Sequence, residues 1–346
     1  MNKLKTFFST AILLTFFINL QGQDISIASQ GHPNTNKFKQ LKEELPTPNK
    51  FRTASGAPGE DYYQQKVDYV IDVELDDKNK RLYGQEEITY TNNSPDVLEY
   101  LWLQLDQNIR KKDSPALQKN SEGDTAHNII YNLIDESQVD RFAARHIEDP
   151  FDGGFNIQWV KDEFNQSLSH TINMTMMRVD LPQPLKKGEE FKFSIKWWYN
   201  INDHVKKRAR SGYEPFPKDG NRLYVIAQFF PRLAVYNDVE GWQNHQFWGN
   251  GEFALNFGNY EVNVTVPADH ILEATGILQN PKEVLSRDQY RRYKRAEKSF
   301  DEPVIIVSQE EAEINEKGFS EDKKTWKFIA ENVRDFAFAT SRIGIP

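Results

Sequence analysis

The stretch Leu223–Gly276, LYVIAQFFPRLAVYNDVEGWQNHQFWGNGEFALNFGNYEVNVTVPADHILEATG, decides the fold. It opens as a strand, crosses a dense aromatic turn region and closes in a second strand. There Tyr260, Val262, Val264 and Val266 alternate with other residues, the period-two pattern of a half-buried strand. Near its start Gln228 is a polar side chain set among Phe229, Phe230, Tyr236, Trp242, Phe247 and Trp248. Such a cluster is either a packed sheet corner or the wall of a binding cleft.

The same periodicity runs outward in both directions. Tyr69, Ile71, Val73 and Leu75 alternate along one strand, the Asp76–Lys80 run is a turn, and Leu82–Asn92 is its antiparallel return. Val97–Leu105 is a largely apolar run expected to be buried on both faces, so a β-meander is the economical reading. Asp106 to about Asn165 is long and charged, and reads as an insertion over the sheet, with a short helix opening near Asp135–Asp140. Strands are expected again at Thr171–Asp180 and Glu190–Tyr199, with Pro182, Pro184 and Gly188 punctuating the link. A helix is expected from Asn280–Pro281 or Ser286, and a last strand pair at Thr325–Ala330 and Asp335–Ala339. Many short strands and few helices predict a mainly β, antiparallel β-sandwich or extended β-saddle with a charged insertion.

Bulk composition narrows the function. The chain has 346 residues, enough for one large or two medium cores. It has no cysteine, which removes disulfides, thiolate metal sites and thiol nucleophiles. A formal net charge of −8 argues against a nucleic-acid partner, which needs a basic footprint. The first 22 residues, with Lys3, Lys5 and an apolar run from Phe7 to Leu20, predict a secretory signal peptide and a secreted or periplasmic product. That run is too short and too interrupted for a stable membrane span, which takes about 20 apolar residues. Residues 23–60 are turn-rich and read as an extended lead-in.

Chemical motifs are missing. None of the seven histidines has another three or four positions away, so the HExxH pair that seats zinc on one helix face does not occur. No G-x-S-x-G elbow and no phosphate-cradling glycine loop is present. Arg287, Arg291, Arg292, Lys294, Arg295 and Lys298 form a cationic run, read either as a phosphate or membrane patch or as a solvated helix face, the latter favoured.

Six segments taken together do resemble a family. They are residues 51–77, 82–108, 181–199, 226–247 (IAQFFPRLAVYNDVEGWQNHQF), 257–276 (FGNYEVNVTVPADHILEATG) and 332–341 (NVRDFAFATS). In this order they are similar to the N-terminal β-domain, here residues 61–340, of secreted bacterial members of the aminopeptidase N family of zinc metallopeptidases. The resemblance implies a saddle-shaped β-sandwich that lines the substrate site of a peptide-hydrolysing enzyme. It implies that zinc, HExxH and the transition-state tyrosine belong to a following catalytic domain, of which residues 341–346 would be the truncated start. No cofactor is then expected in this chain, and the partners are a peptide substrate and the missing domain. Gln228 matches the family's glutamine at the pocket for the substrate's first residue, although Phe230 stands where an acidic residue is usual. A strand-end amide satisfying backbone groups is the other reading of Gln228. A stand-alone secreted module binding peptide or glycan through Trp242, Phe247 and Trp248 is the alternative for the chain.

Overall fold

The computed structural model describes residues 48–114, 151–207, 209–249 and 254–343. The expected signal peptide, most of the lead-in, the helix opening near Asp135–Asp140 and residues 344–346 lie outside them.

The first hairpin sets the frame. β1 (Lys66–Asp76) and β2 (Arg81–Thr91) pair over their whole length in antiparallel register. The turn forms where the Asp76 carboxylate accepts the Asn79 amide at 2.9 Å and Lys80 takes a left-handed φ of 52°. Alternation puts Val67, Tyr69, Ile71, Val73 and Leu75 on one buried face, opposite Leu82, Ile88 and Tyr90. Gly84 shares that face because the Trp197 ring lies over it, and a Cβ there would come within 2.4 Å of the indole.

β7 (Glu190–Asn200) adds to β2, and β4 (Asn156–Asp162) adds to β7 at the edge. On the other side β13 (Gly258–Pro267) joins β1 in parallel, followed by β16 (Lys323–Val333) and the short β15 (Ile277–Leu278). The result is a seven-stranded sheet ordered β15-β16-β13-β1-β2-β7-β4. A second sheet, of four strands, is ordered β10-β3-β6-β5, from β3 (Leu98–Gln104), β5 (His170–Asn173), β6 (Met176–Leu185) and β10 (Arg232–Leu233). A third, also of four, is ordered β14-β17-β9-β8, from β8 (Gly212–Phe216), β9 (Asn221–Ile226), β14 (Ile271–Ala274) and β17 (Phe338–Ser341). β11 (Tyr236–Asn237) and β12 (Gly241–Trp242) form a small ribbon. Facing side chains interdigitate as in a sandwich core, with Tyr69 and Phe230 edge to face at 5.3 Å.

The chain is mainly β, a β-sandwich with few short helices, as the alternation predicts. Several particulars differ from the sequence expectations. The large sheet is mixed, because β1 and β13 run parallel. The meander breaks after β2, since β3 pairs with β6 and β10 in another sheet. β3 buries Leu101 and Leu103 but leaves Tyr100 and Trp102 half-buried, so it is not covered on both faces. Of the expected insertion, Asn156–Asp162 is β4 at the edge of the large sheet, and residues 115–150 lie outside the described residues. The last two strands are not a pair, as β16 and β17 sit in different sheets. The helix expected near Pro281 is two pieces, α2 (Pro281–Val284) and α3 (Arg287–Ala296), after α1 (His204–Lys207) and before α4 (Gln309–Asn315). The longer two begin at capping boxes: Ser286 with Gln289, and Ser308 with Glu311.

Candidate functional site

Gln228 lies between β9 and β10, where the chain leaves one sheet for another. Its φ is +54°, the left-handed region that a residue with a Cβ enters at a cost of about 1 kcal/mol or more. Two opposing demands explain the strain. Phe229 and Phe230 follow at once, and both rings are fully buried. Phe229 stacks edge-on to Phe338 at 5.3 Å, and its carbonyl accepts the Trp197 indole N–H at 3.0 Å. Phe230 packs against Tyr69 and Tyr260.

The chain is held on its other side by the turn that follows β3. Asp106–Arg110 is one buried 3-10 turn built almost wholly of polar residues. The Gln107 amide donates to the Gln228 carbonyl at 2.9 Å, and its own oxygen accepts from the Arg110 guanidinium at 2.9 Å. That second bond fixes which way the amide faces. Asn108 donates to the Met174 carbonyl and accepts from the Phe155 amide, both at 2.8 Å. Ile109 lies so close to Gly249 that a Cβ on the glycine would sit 3.2 Å from the isoleucine methyl. Three consecutive turn residues therefore gather Gln228, Met174 and the 246–249 segment around one small surface.

Asp106 ties this turn to the core. Arg232, itself 1% exposed, donates to Asp106 at 2.8 Å and to Asp335 at 2.6 Å. Burial pushes both carboxyls above their usual range, opposed by the adjacent Arg232 charge. Burial also lowers the Arg110 guanidinium.

The aromatic cluster divides. Phe229 and Phe230 belong to the core, while Trp242 packs on Tyr236 at 5.1 Å and on Tyr90 at 6.2 Å. Phe247 and Trp248 stay half-buried near the turn, with the Phe247 amide donating to Thr175 at 2.8 Å. The cluster is thus more sheet corner than continuous wall. The Gln228 side-chain amide is half-buried and bonds to no described residue, so the strand-end role of satisfying backbone groups is not what it performs here. Phe230, where a family acid would stand, is fully buried. The nearby turn went unread in the sequence, and only the run Asp106-Gln107-Asn108 directly after an apolar strand hinted at it.

Among the described residues no group of three histidine, aspartate or glutamate side chains could hold a metal ion. His270 is fully buried, bonded to Thr340, and pushed down to about 4 by burial. His32, His127 and His146 lie outside the described residues. Among those described, no helix is long and apolar enough to cross a membrane.

No family model matches this sequence, and no curated protein matches it. Solved structures that are similar include an M1 zinc metallopeptidase from Deinococcus radiodurans, at 13% identity and a TM-score of 0.38. A mutant of that enzyme bound to a Tyr-Ser-Ala substrate is similar to the same degree. A two-domain M1 zinc metallopeptidase mutant bound to L-arginine is similar at 12% identity and a TM-score of 0.37. In each case 80% of this chain is covered, against 41% of the other, so the chain spans about two fifths of the length of the structures it matches.

Proposed function

We propose that this chain is the substrate-lining β-domain of a zinc-dependent aminopeptidase, with Gln228 at the pocket for the peptide's amino-terminal residue. The observation that carries the reading is the state of Gln228: left-handed backbone, pinned carbonyl and a half-buried amide without a described partner. Strain maintained by its surroundings marks a residue placed for a task other than packing. A glutamine on a backbone so fixed offers an amide oxygen to a peptide ammonium and an N–H to a peptide carbonyl. The six ordered segments of family resemblance give the reading its reaction class.

Hydrolysis is not assigned to these residues. In such an enzyme zinc activates the attacking water, and among the described residues no group of side chains could hold the metal. Its own part is to bind and orient the free amino end.

The test is calorimetric titration of the full chain with a short peptide, alone and N-acetylated. Binding of the free-amine peptide that is lost on acetylation and on Gln228→Ala supports the reading. Equal binding of both peptides, or no effect of Gln228→Ala, overturns the pocket. One tight zinc per chain with hydrolysis of an aminoacyl reporter overturns the division of labour.

A further inference from the structure

We propose that the outward face of α3, with Phe300 beside it, docks this protein on an anionic lipid surface. The inference stands apart from the Gln228 pocket. The cationic run divides in the structure into an inward and an outward set. Arg292 faces inward, donating to the Ile306 carbonyl at 2.6 Å and pairing with Glu311 on α4, which clamps the two helices together. Arg287, Arg291, Lys294, Arg295 and Lys298 all face solvent. Two of these have acidic neighbours within their own segment, Arg291 with Asp288 and Lys294 with Glu297. Arg287, Arg295 and Lys298 have no ion pair with a described residue.

This cationic face sits on a chain whose formal net charge is −8. A purely solvated helix would need no such concentration of one sign. The contrast sets an orientation. Anionic lipid repels the net-negative molecule, and attraction operates only over a Debye length of about 8 Å, so approach by the cationic α3 face is favoured.

Apolar chemistry follows directly in the chain: Phe300, two residues after Lys298, is 93% exposed. Cations at headgroup level beside an aromatic ring free to enter the acyl boundary are the pairing that separates a lipid surface from a soluble polyanion. Asp301 and Glu302 follow Phe300 and subtract from the attraction, so the contact is expected to be weak and reversible.

Flotation of the full chain with vesicles tests this. One set is phosphatidylcholine alone, and the other contains about three parts in ten phosphatidylglycerol. The expected result is partitioning to the anionic set only, falling on the order of tenfold or more between 0.05 and 0.5 M salt. The triple variant Arg287→Glu, Arg295→Glu, Lys298→Glu should lose on the order of tenfold or more, with melting unchanged, since none of the three is buried. Phe300→Ser should weaken lipid binding and leave retention on immobilised polyphosphate unaltered. Equal partitioning to neutral vesicles, or none at low salt, overturns the proposal. Polyphosphate binding with lipid binding indifferent to Phe300→Ser assigns the face to a soluble polyanion and also overturns it.

Discussion

The buried face of β1 and β2 and the turn Asp106–Arg110 are almost equally hidden from water, but by opposite means. The hairpin buries Val67, Ile71, Val73, Leu75, Leu82 and Ile88, and its backbone is satisfied by the ladder on either side. The turn buries Asp106, Gln107, Asn108 and Arg110: Gln107 pairs with Arg110, Gln107 and Asn108 hold the loops around them, and Asp106 pairs with Arg232 through one carboxylate oxygen. Burying apolar surface is non-directional and tolerates rearrangement. A buried polar hub costs free energy unless each partner is in place, so it fixes geometry. The first kind of core builds the sandwich and the second holds the Gln228 backbone.

Breaking the polar core at its centre should have the largest effect. Arg232→Ala leaves Asp106 buried without its cation and is expected to cost roughly 3–5 kcal/mol, read as a fall in the denaturant midpoint. Ile71→Ala, its counterpart in the apolar core, is expected to cost about 3 kcal/mol while leaving peptide binding intact. If the two losses reverse in rank, or if Ile71→Ala impairs binding as much as Arg232→Ala, the contrast between the cores fails.

Glu86 is where the apolar core breaks its own rule. It lies on the inward face of β2 opposite Ile71 and Ile195, 1% exposed, with neither carboxylate oxygen bonded to any group. Burial alone holds it well above the usual carboxylate range. The sign follows: a raised folded-state value means this term is absent well below about pH 4.5 and erodes stability as pH rises above it toward the folded-state value. Glu86→Leu should therefore stabilise by about 1–3 kcal/mol at pH 8 and by much less at pH 5, measured by paired denaturation curves. A gain equal at both pH values would show that ionisation of the carboxyl is not the cause.

The smallest effect concerns Gln228 itself. Gln228→Gly relieves the left-handed backbone and is expected to raise stability by roughly 0.5–1 kcal/mol, while peptide binding falls. Stability that drops instead would mean that the side chain is held by packing and that the strain serves no ligand.

Legibility in the sequence follows the same division. The strands at Glu190–Asn200 and Gly258–Pro267 were readable because each needs only a two-residue period and a polar exterior. Sheet membership was not, because nothing local tells β3 to leave β2 or β1 to accept β13. The expected charged insertion over the sheet begins at the Asp106–Arg110 turn, since each of its polar residues, taken singly, belongs outside. What buries them is partners at distant positions, Arg232 and the backbone of Met174 and Gln228, which no window contains. Gln228 stands out in the sequence as a polar side chain among aromatics, its pocket role comes only from resemblance, and its strained backbone has no local sequence mark. The cationic run was visible, but only the structure separates Arg292, which clamps, from the five that face water.

The parallel pairing of β1 with β13 carries a kinetic consequence. Asp72 bonds to Asn263 across 191 residues of chain, at the centre of the large sheet. Contacts so distant in sequence must await closure of the whole intervening loop, and folding slows accordingly. Until β13 arrives, β1 presents one bare backbone edge, an invitation to pair with another chain. The molecule's final seam is thus also its most vulnerable stage, and the yield of folded protein should depend on how crowded that stage is.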